Sequence, residues 1–238
     1  MKQSFLHRIL PLLLLLVAIP TAVLLCARFD RRYYIGGSLV ILLTFLAFFL
    51  HFEGRKPQAR ALVLLAVMTA LAVASRAVFA ALPHFKPMSA VIMLTGIALG
   101  PEAGFLTGAL CAFVSNFIFG QGPWTPWQMF AYGMGGLLAG LLVRWGILKR
   151  SPKKAGDLAV LGIFGFLATV CVVGPLLDTC TLVTMAAVIN TASVGAIYLS
   201  GLPVNLMHGG ATLVTLVLLA KPLLGKLTRI QVKYGIME

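Results

Sequence analysis

The chain has 238 residues, of which 60% are hydrophobic and 11% charged, with a mean hydropathy of +1.00. Soluble domains carry about a quarter of their residues as charges, so an ordinary soluble fold is excluded. The net charge of +13 suggests nucleic acid at first sight, but the placement of the charges argues for orientation in a lipid bilayer instead.

Apolar runs of about twenty residues, without period-two alternation, predict helices rather than a barrel. The expected fold is an all-α, polytopic membrane bundle: an N-terminal two-helix hairpin over 1–57 and a six-helix core over 58–238. The hairpin places spans near 9–27 and 35–52, joined by RFDRRYY, whose Tyr33 and Tyr34 suit a membrane interface. The stretch LHRILPLLLLLVAIPTAVLLCA resembles a signal peptide, but a second span follows at once and favours a retained helix. EGRKPQAR then marks the boundary with the core.

The first core helix, about 59–82, repeats Ala66, Ala70 and Ala74 at spacing four, and small residues at that spacing let helices approach closely in lipid. Arg76 sits near its end, and a charge at that depth is a site candidate. A short second helix, about 88–99, follows Pro83 and Pro87. The third, about 102–119, follows Gly100-Pro101, with Glu102 placed as a capping charge at the positive end of the dipole. The turn Gly120–Pro126 leads into a fourth helix, about 127–148, carrying Gly133, Gly136 and Gly140. A fifth begins near 158 and is expected to kink or end at Gly174-Pro175. Residues 180–200 read as a lid or re-entrant segment, and 203–224 as the last helix, ahead of a basic tail.

With the N-terminus inside, fourteen Lys and Arg fall on the cytoplasmic side and five (Arg28, Arg31, Arg32, Arg76 and Lys86) on the other. That bias predicts a multi-pass plasma-membrane protein with both termini cytoplasmic. The four cysteines, Cys26, Cys111, Cys171 and Cys180, form no CxxC and are expected as buried free thiols.

The most informative stretch is Leu82–Gly140, almost wholly apolar yet interrupted by Gln-Gly-Pro-Trp-Thr-Pro-Trp-Gln. Lipid-facing spans have no use for Asn116, Gln121, Trp124, Trp127, Gln128 and Tyr132 around one turn. A ring-bearing, polar-edged solute has: flat aromatic faces to stack on, and amides that donate and accept at once. The tryptophans also suit an interfacial belt, His208 a packing role, and Lys86 a solvated loop.

No Walker lysine motif, HExxH or GxSxG occurs, and His7, His51, His84 and His208 are scattered. No metal and no bound cofactor are therefore expected, nor is catalysis. Two other classes stay open: a small integral-membrane enzyme using Asp178 with His208 or His84, and a membrane scaffold built on the small-residue faces.

The segments FKPMSAVIMLTGIALGPEAGFLTGALCAFVSNFIFGQGPWTPWQMFAYG, YLSGLPVNLMHGG and KPLLGKLTRIQVKYG together resemble the substrate-binding S component of energy-coupling factor (ECF) vitamin transporters, over about 58–235. The resemblance implies capture of a vitamin-like small molecule from outside. It also implies docking on a membrane T subunit and ATP use by two cytoplasmic ATPase subunits. The family's docking motif falls on Ala66, Ala70 and Ala74. Its site maps to Arg76, Phe79, His84 and Lys86 at the first loop, and to Asn116, Gln121, Trp124, Trp127, Gln128 and Tyr132 at the third. Asp178, Asn190, Tyr198, Asn205 and His208 complete it. The GQGPWTPW pattern makes cobalamin or another corrinoid the first expectation for cargo.

Overall fold

A computed structural model describes residues 59–186 and 190–236, with isolated positions 17, 21, 39, 43 and 46. Apart from those positions, the hairpin expected over 1–57 lies outside the described residues, as does Cys26. The described helices are α1 (Ala59–Val78), α2 (Met88–Leu99), α3 (Pro101–Phe119), α4 (Thr125–Arg144), α5 (Ala155–Ala168), α6 (Gly174–Met185) and α7 (Thr191–Tyr234). A five-residue π turn, Thr169–Val173, joins α5 to α6, so the core contains six helical rods. No strand occurs among the described residues. Four rods, α1, α3, α5–α6 and α7, are long and apolar enough to cross a membrane, which bears out the all-α membrane bundle.

Every residue of α2 is buried. A helix apolar on all sides belongs inside a bundle, and at twelve residues it is too short to span lipid unaided. Helices α3 and α4 close against it through their glycines. A Cβ on Gly104 would lie 2.5 Å from the Gly136 carbonyl oxygen, and one on Gly140 2.5 Å from the Pro101 Cα. The glycines therefore set how closely these backbones meet, as small residues do between membrane helices.

The expectation for residues 180–200 is corrected, and of the kink or end expected at Gly174-Pro175 the end does not occur. The π turn shifts the bonding register, Gly174 N–H reaches back five residues to Thr169 O, and the rod continues to Met185. Residues 180–200 do not form a separate lid either: 180–185 complete α6 and 191–200 open α7. Asn190 starts α7 by accepting a bond from Ser193 N at 2.8 Å, and the helix carries Pro203 and Pro222 inside it. The Gly-Leu-Pro at 201–203 has the look of a helix start, yet membrane helices tolerate internal proline. Cys111 and Cys180 are buried free thiols as expected, whereas Cys171, on the π turn, is exposed.

The two ends of the bundle differ in charge. At one end Arg150 Nη2 and Gln231 Nε2 both donate to Ala98 O, at 2.6 and 2.9 Å, and Arg60 donates to Tyr234 O. That end gathers Arg60, Arg144, Lys149, Arg150, Lys153 and Lys154 with the basic tail of α7. At the opposite end, among the described residues, the Lys and Arg side chains are Arg76 and Lys86.

Candidate functional site

The sparsely charged end holds a connected polar network inside an apolar shell. Arg76, on the last turn of α1, is only 8% exposed. Its Nη1 donates to Ser115 Oγ and, at 2.9 Å, to Asn116 Oδ1, while its guanidinium lies 4.6 Å from the centre of the Phe119 ring. Asn116 Nδ2 donates in turn to Thr125 Oγ1 and Gln128 Oε1, both at 2.9 Å. Thr125 Oγ1 donates to Gln121 Oε1 at 2.8 Å, and Gln121 Nε2 donates to Phe113 O at 2.9 Å. Buried polar groups need such partners, and these bonds tie α1, α3, α4 and the α3–α4 turn together. Tyr132 is buried one turn beyond Gln128 on α4.

The tryptophans divide. Trp127 is 7% exposed and packs in the apolar core, whereas Trp124 is 40% exposed. The Trp124 ring lies over its own turn, where a Cβ on Gly122 would meet it at 2.5 Å, and its Nε1 donates to Gly120 O at 3.4 Å. Trp124 is thus the tryptophan of the turn whose ring reaches the surface.

The α1–α2 loop forms the second wall. His84 holds a left-handed backbone (φ 58°) between Pro83 and Phe85, and such a non-glycine conformation is held only by its surroundings. Its ring stands 6.0 Å from that of His208 on α7, and Phe79 packs on Phe85 at 5.4 Å. Lys86 is half-buried; burial first, and the Arg76 charge second, hold its ammonium below the ordinary lysine range.

The third wall comes from α6 and α7. Asn205 Nδ2 donates to Asp178 Oδ2 at 2.8 Å, and the Thr179 and Tyr198 hydroxyls share a bond of 2.7 Å. His208 lies one turn beyond Asn205 on the same side of α7, and both are buried. Asp178 shares no hydrogen bond or ion pair with His84 or His208 among the described residues, so the acid–base pair considered for an enzyme is not assembled. Asn190 uses its side-chain oxygen to cap α7, away from the network.

The structure therefore joins Arg76, Asn116 and Gln128 directly and Gln121 through Thr125, and brings His84 beside His208. Asp178 and Asn205 form a separate pair. Ser115, Phe119 and Thr125 were not expected from sequence. Thr125 could have been found from its position three residues before Gln128 at a helix start. Ser115 and Phe119 carried no signal apart from their distance from Asn116.

On the outside of α1, Ala66, Ala70 and Ala74 are all exposed, beside exposed Val63, Val67 and Leu71. No solved structure matches the chain. The family model described as the ECF-type riboflavin transporter, S component, matches residues 56–225, well over half of the chain and all of the helices that build the site. The chain belongs to the ECF-type transporter S components, a family of multi-pass membrane transport proteins rather than of enzymes.

Proposed function

We propose that this S component captures a ring-bearing vitamin or cofactor precursor at the sparsely charged end, which faces outward, and delivers it for ATP-driven uptake. The observation that carries the reading is the Arg76–Asn116–Gln128 network. It sets a buried cation and two amides at one end of an apolar bundle, beside the exposed Trp124 ring. Polar groups at membrane depth are costly and mark solute pathways, and a few fixed donors among aromatic faces suit a flat, polar-edged ligand. The positive-inside bias supports cytoplasmic termini, with the basic end facing the cytoplasm. The exposed Ala66, Ala70 and Ala74 face supports docking on a T subunit, and ATP hydrolysis is assigned to two cytoplasmic ATPase subunits. The chain itself acts without a bound cofactor or metal and without catalysis.

For the cargo, the description of the matched family favours a flavin. The Gly-Gln-Gly-Pro-Trp-Thr-Pro-Trp turn keeps cobalamin or another corrinoid as the second reading. The deciding experiment titrates the detergent-purified protein with a vitamin panel headed by riboflavin and cobalamin, both of which absorb visible light. Saturable, near-stoichiometric binding of one compound supports capture and names the cargo. Folded protein that binds nothing in the panel would overturn the reading and favour a scaffold.

A further inference from the structure

The polar groups of the site are unequally matched in charge. Arg76 on α1, Lys86 and His84 on the α1–α2 loop and His208 on α7 lie at the sparsely charged end, with the His84 and His208 rings 6.0 Å apart, and among the described residues none of them forms an ion pair with a carboxylate. The described carboxylates are Glu102, Asp157 and Asp178. Glu102 stands in the first turn of α3 and Asp157 pairs with Lys149, both towards the basic end, while Asp178 is engaged by Asn205.

Three features leave donors waiting. Arg76 makes both of its hydrogen bonds from Nη1, so the N–H groups of Nε and Nη2 have no acceptor among the described residues. Lys86, half-buried, has neither a hydrogen bond nor an ion pair there. His208, 9% exposed, carries a buried Nε2 with no partner, and its ring faces that of His84. His84 itself holds a left-handed backbone in this loop (φ 58°). Leaving the buried His208 Nε2 unpaired is costly, and placing Arg76 and Lys86 at one end without a counter-ion adds repulsion. A bound anion removes both costs.

We propose that this cluster is a phosphate seat, and that the solute taken up here carries a phosphate ester whose oxygens receive the Arg76, Lys86 and His208 donors. The inference rests on the capture reading above and adds the charge class of the cargo. A guanidinium offers paired donors to two phosphate oxygens, and an ammonium adds a point charge. Donors arriving from three elements suit the tetrahedral spread of phosphate oxygens better than the flat edge of a carboxylate. Both cargo classes can be tested with and without the group: riboflavin against riboflavin 5′-phosphate, and cobinamide, which lacks the nucleotide phosphodiester, against cobalamin.

The test measures affinity of the full-length purified protein for these four compounds at fixed ionic strength, in the parent and in Lys86→Met and Lys86→Arg. In the ring class that binds, the phosphate-bearing member is expected to bind about tenfold tighter or more, the effect of one added charge-assisted hydrogen bond. Lys86→Met should narrow that gap and Lys86→Arg should retain it, which separates the phosphate from the base that cobinamide also lacks. Equal affinities within a binding pair, or a gap unchanged by Lys86→Met, overturn the seat and leave solute capture standing. Binding of none of the four overturns the flavin and corrinoid readings and the seat with them.

Discussion

The Asn116 amide nitrogen stands 2.9 Å from the Gln128 side-chain oxygen, while the Asn116 oxygen receives Arg76 at the same distance. One buried amide thus connects α1, α3 and α4. Asn116→Leu removes these bonds and leaves Arg76 and Gln128 underbonded in an apolar interior. We expect a stability loss of about 1–3 kcal/mol, read as a lower Tm in detergent, together with at least a tenfold weaker solute affinity, about 1.4 kcal/mol.

Trp124 separates binding from folding more cleanly, because its ring is outside the core. Trp124→Ala is expected to weaken solute binding several-fold, about 1 kcal/mol for a lost ring face, with little change in Tm. An unchanged titration curve would assign the ring to the lipid interface alone.

Ala70→Trp should do the opposite. Ala70 is exposed between Ala66 and Ala74, so a bulky ring there blocks close helix approach from outside without entering the core. Solute affinity is expected to persist while copurification with a T subunit and cellular uptake are lost. If Trp124→Ala and Ala70→Trp gave the same phenotype, site and docking face would not be separate surfaces.

Gly136 tests the seam between α2, α3 and α4. Gly136→Val places a branched side chain against the Gly104 backbone and should abolish folded protein, measured by size-exclusion recovery and Tm. Gly210→Ala is the control: nothing lies within 4 Å of a Cβ there, and wild-type stability is expected.

The phosphate seat carries a pH signature. Lys86 loses its proton at lower pH than an ordinary lysine, because burial and Arg76 disfavour its charge. A bound anion favours the ammonium, so affinity for riboflavin 5′-phosphate should be greatest while Lys86 is protonated and fall as pH rises through its lowered pKa. Arg76, His84 and His208 face the same seat, so the Lys86 contribution is read by difference. The alkaline fall should flatten in Lys86→Met, and an identical profile in parent and variant would remove Lys86 from the binding step.

Much of this architecture was legible in the chain because hydrophobic length and punctuation are local properties. Residues 88–99 were bounded correctly by Pro87 and Gly100, and Gly100-Pro101 opened α3 as expected. Asn116, Gln121 and Gln128 could be singled out because amides are out of place in lipid. What failed depended on partners. The π turn before Gly174 and the passage of α7 through Pro203 reflect how neighbouring rods hold a backbone, which no window of sequence contains. Nor could sequence distinguish Trp124 from Trp127, three residues apart, since packing alone makes one a surface ring and the other core.

The complete burial of α2 bears on biogenesis. Twelve residues rise about 18 Å, against about 30 Å of hydrocarbon, so this segment cannot leave the insertion machinery as an independent span. It has to wait, loosely placed, until α3 and α4 have emerged and their glycines close over it. Enclosure of α2 therefore trails its own synthesis and waits on the two helices that follow it in the chain. A nascent chain stalled before Thr125 should leave α2 open to water-borne thiol reagents at an introduced cysteine, whereas the finished protein should shield it.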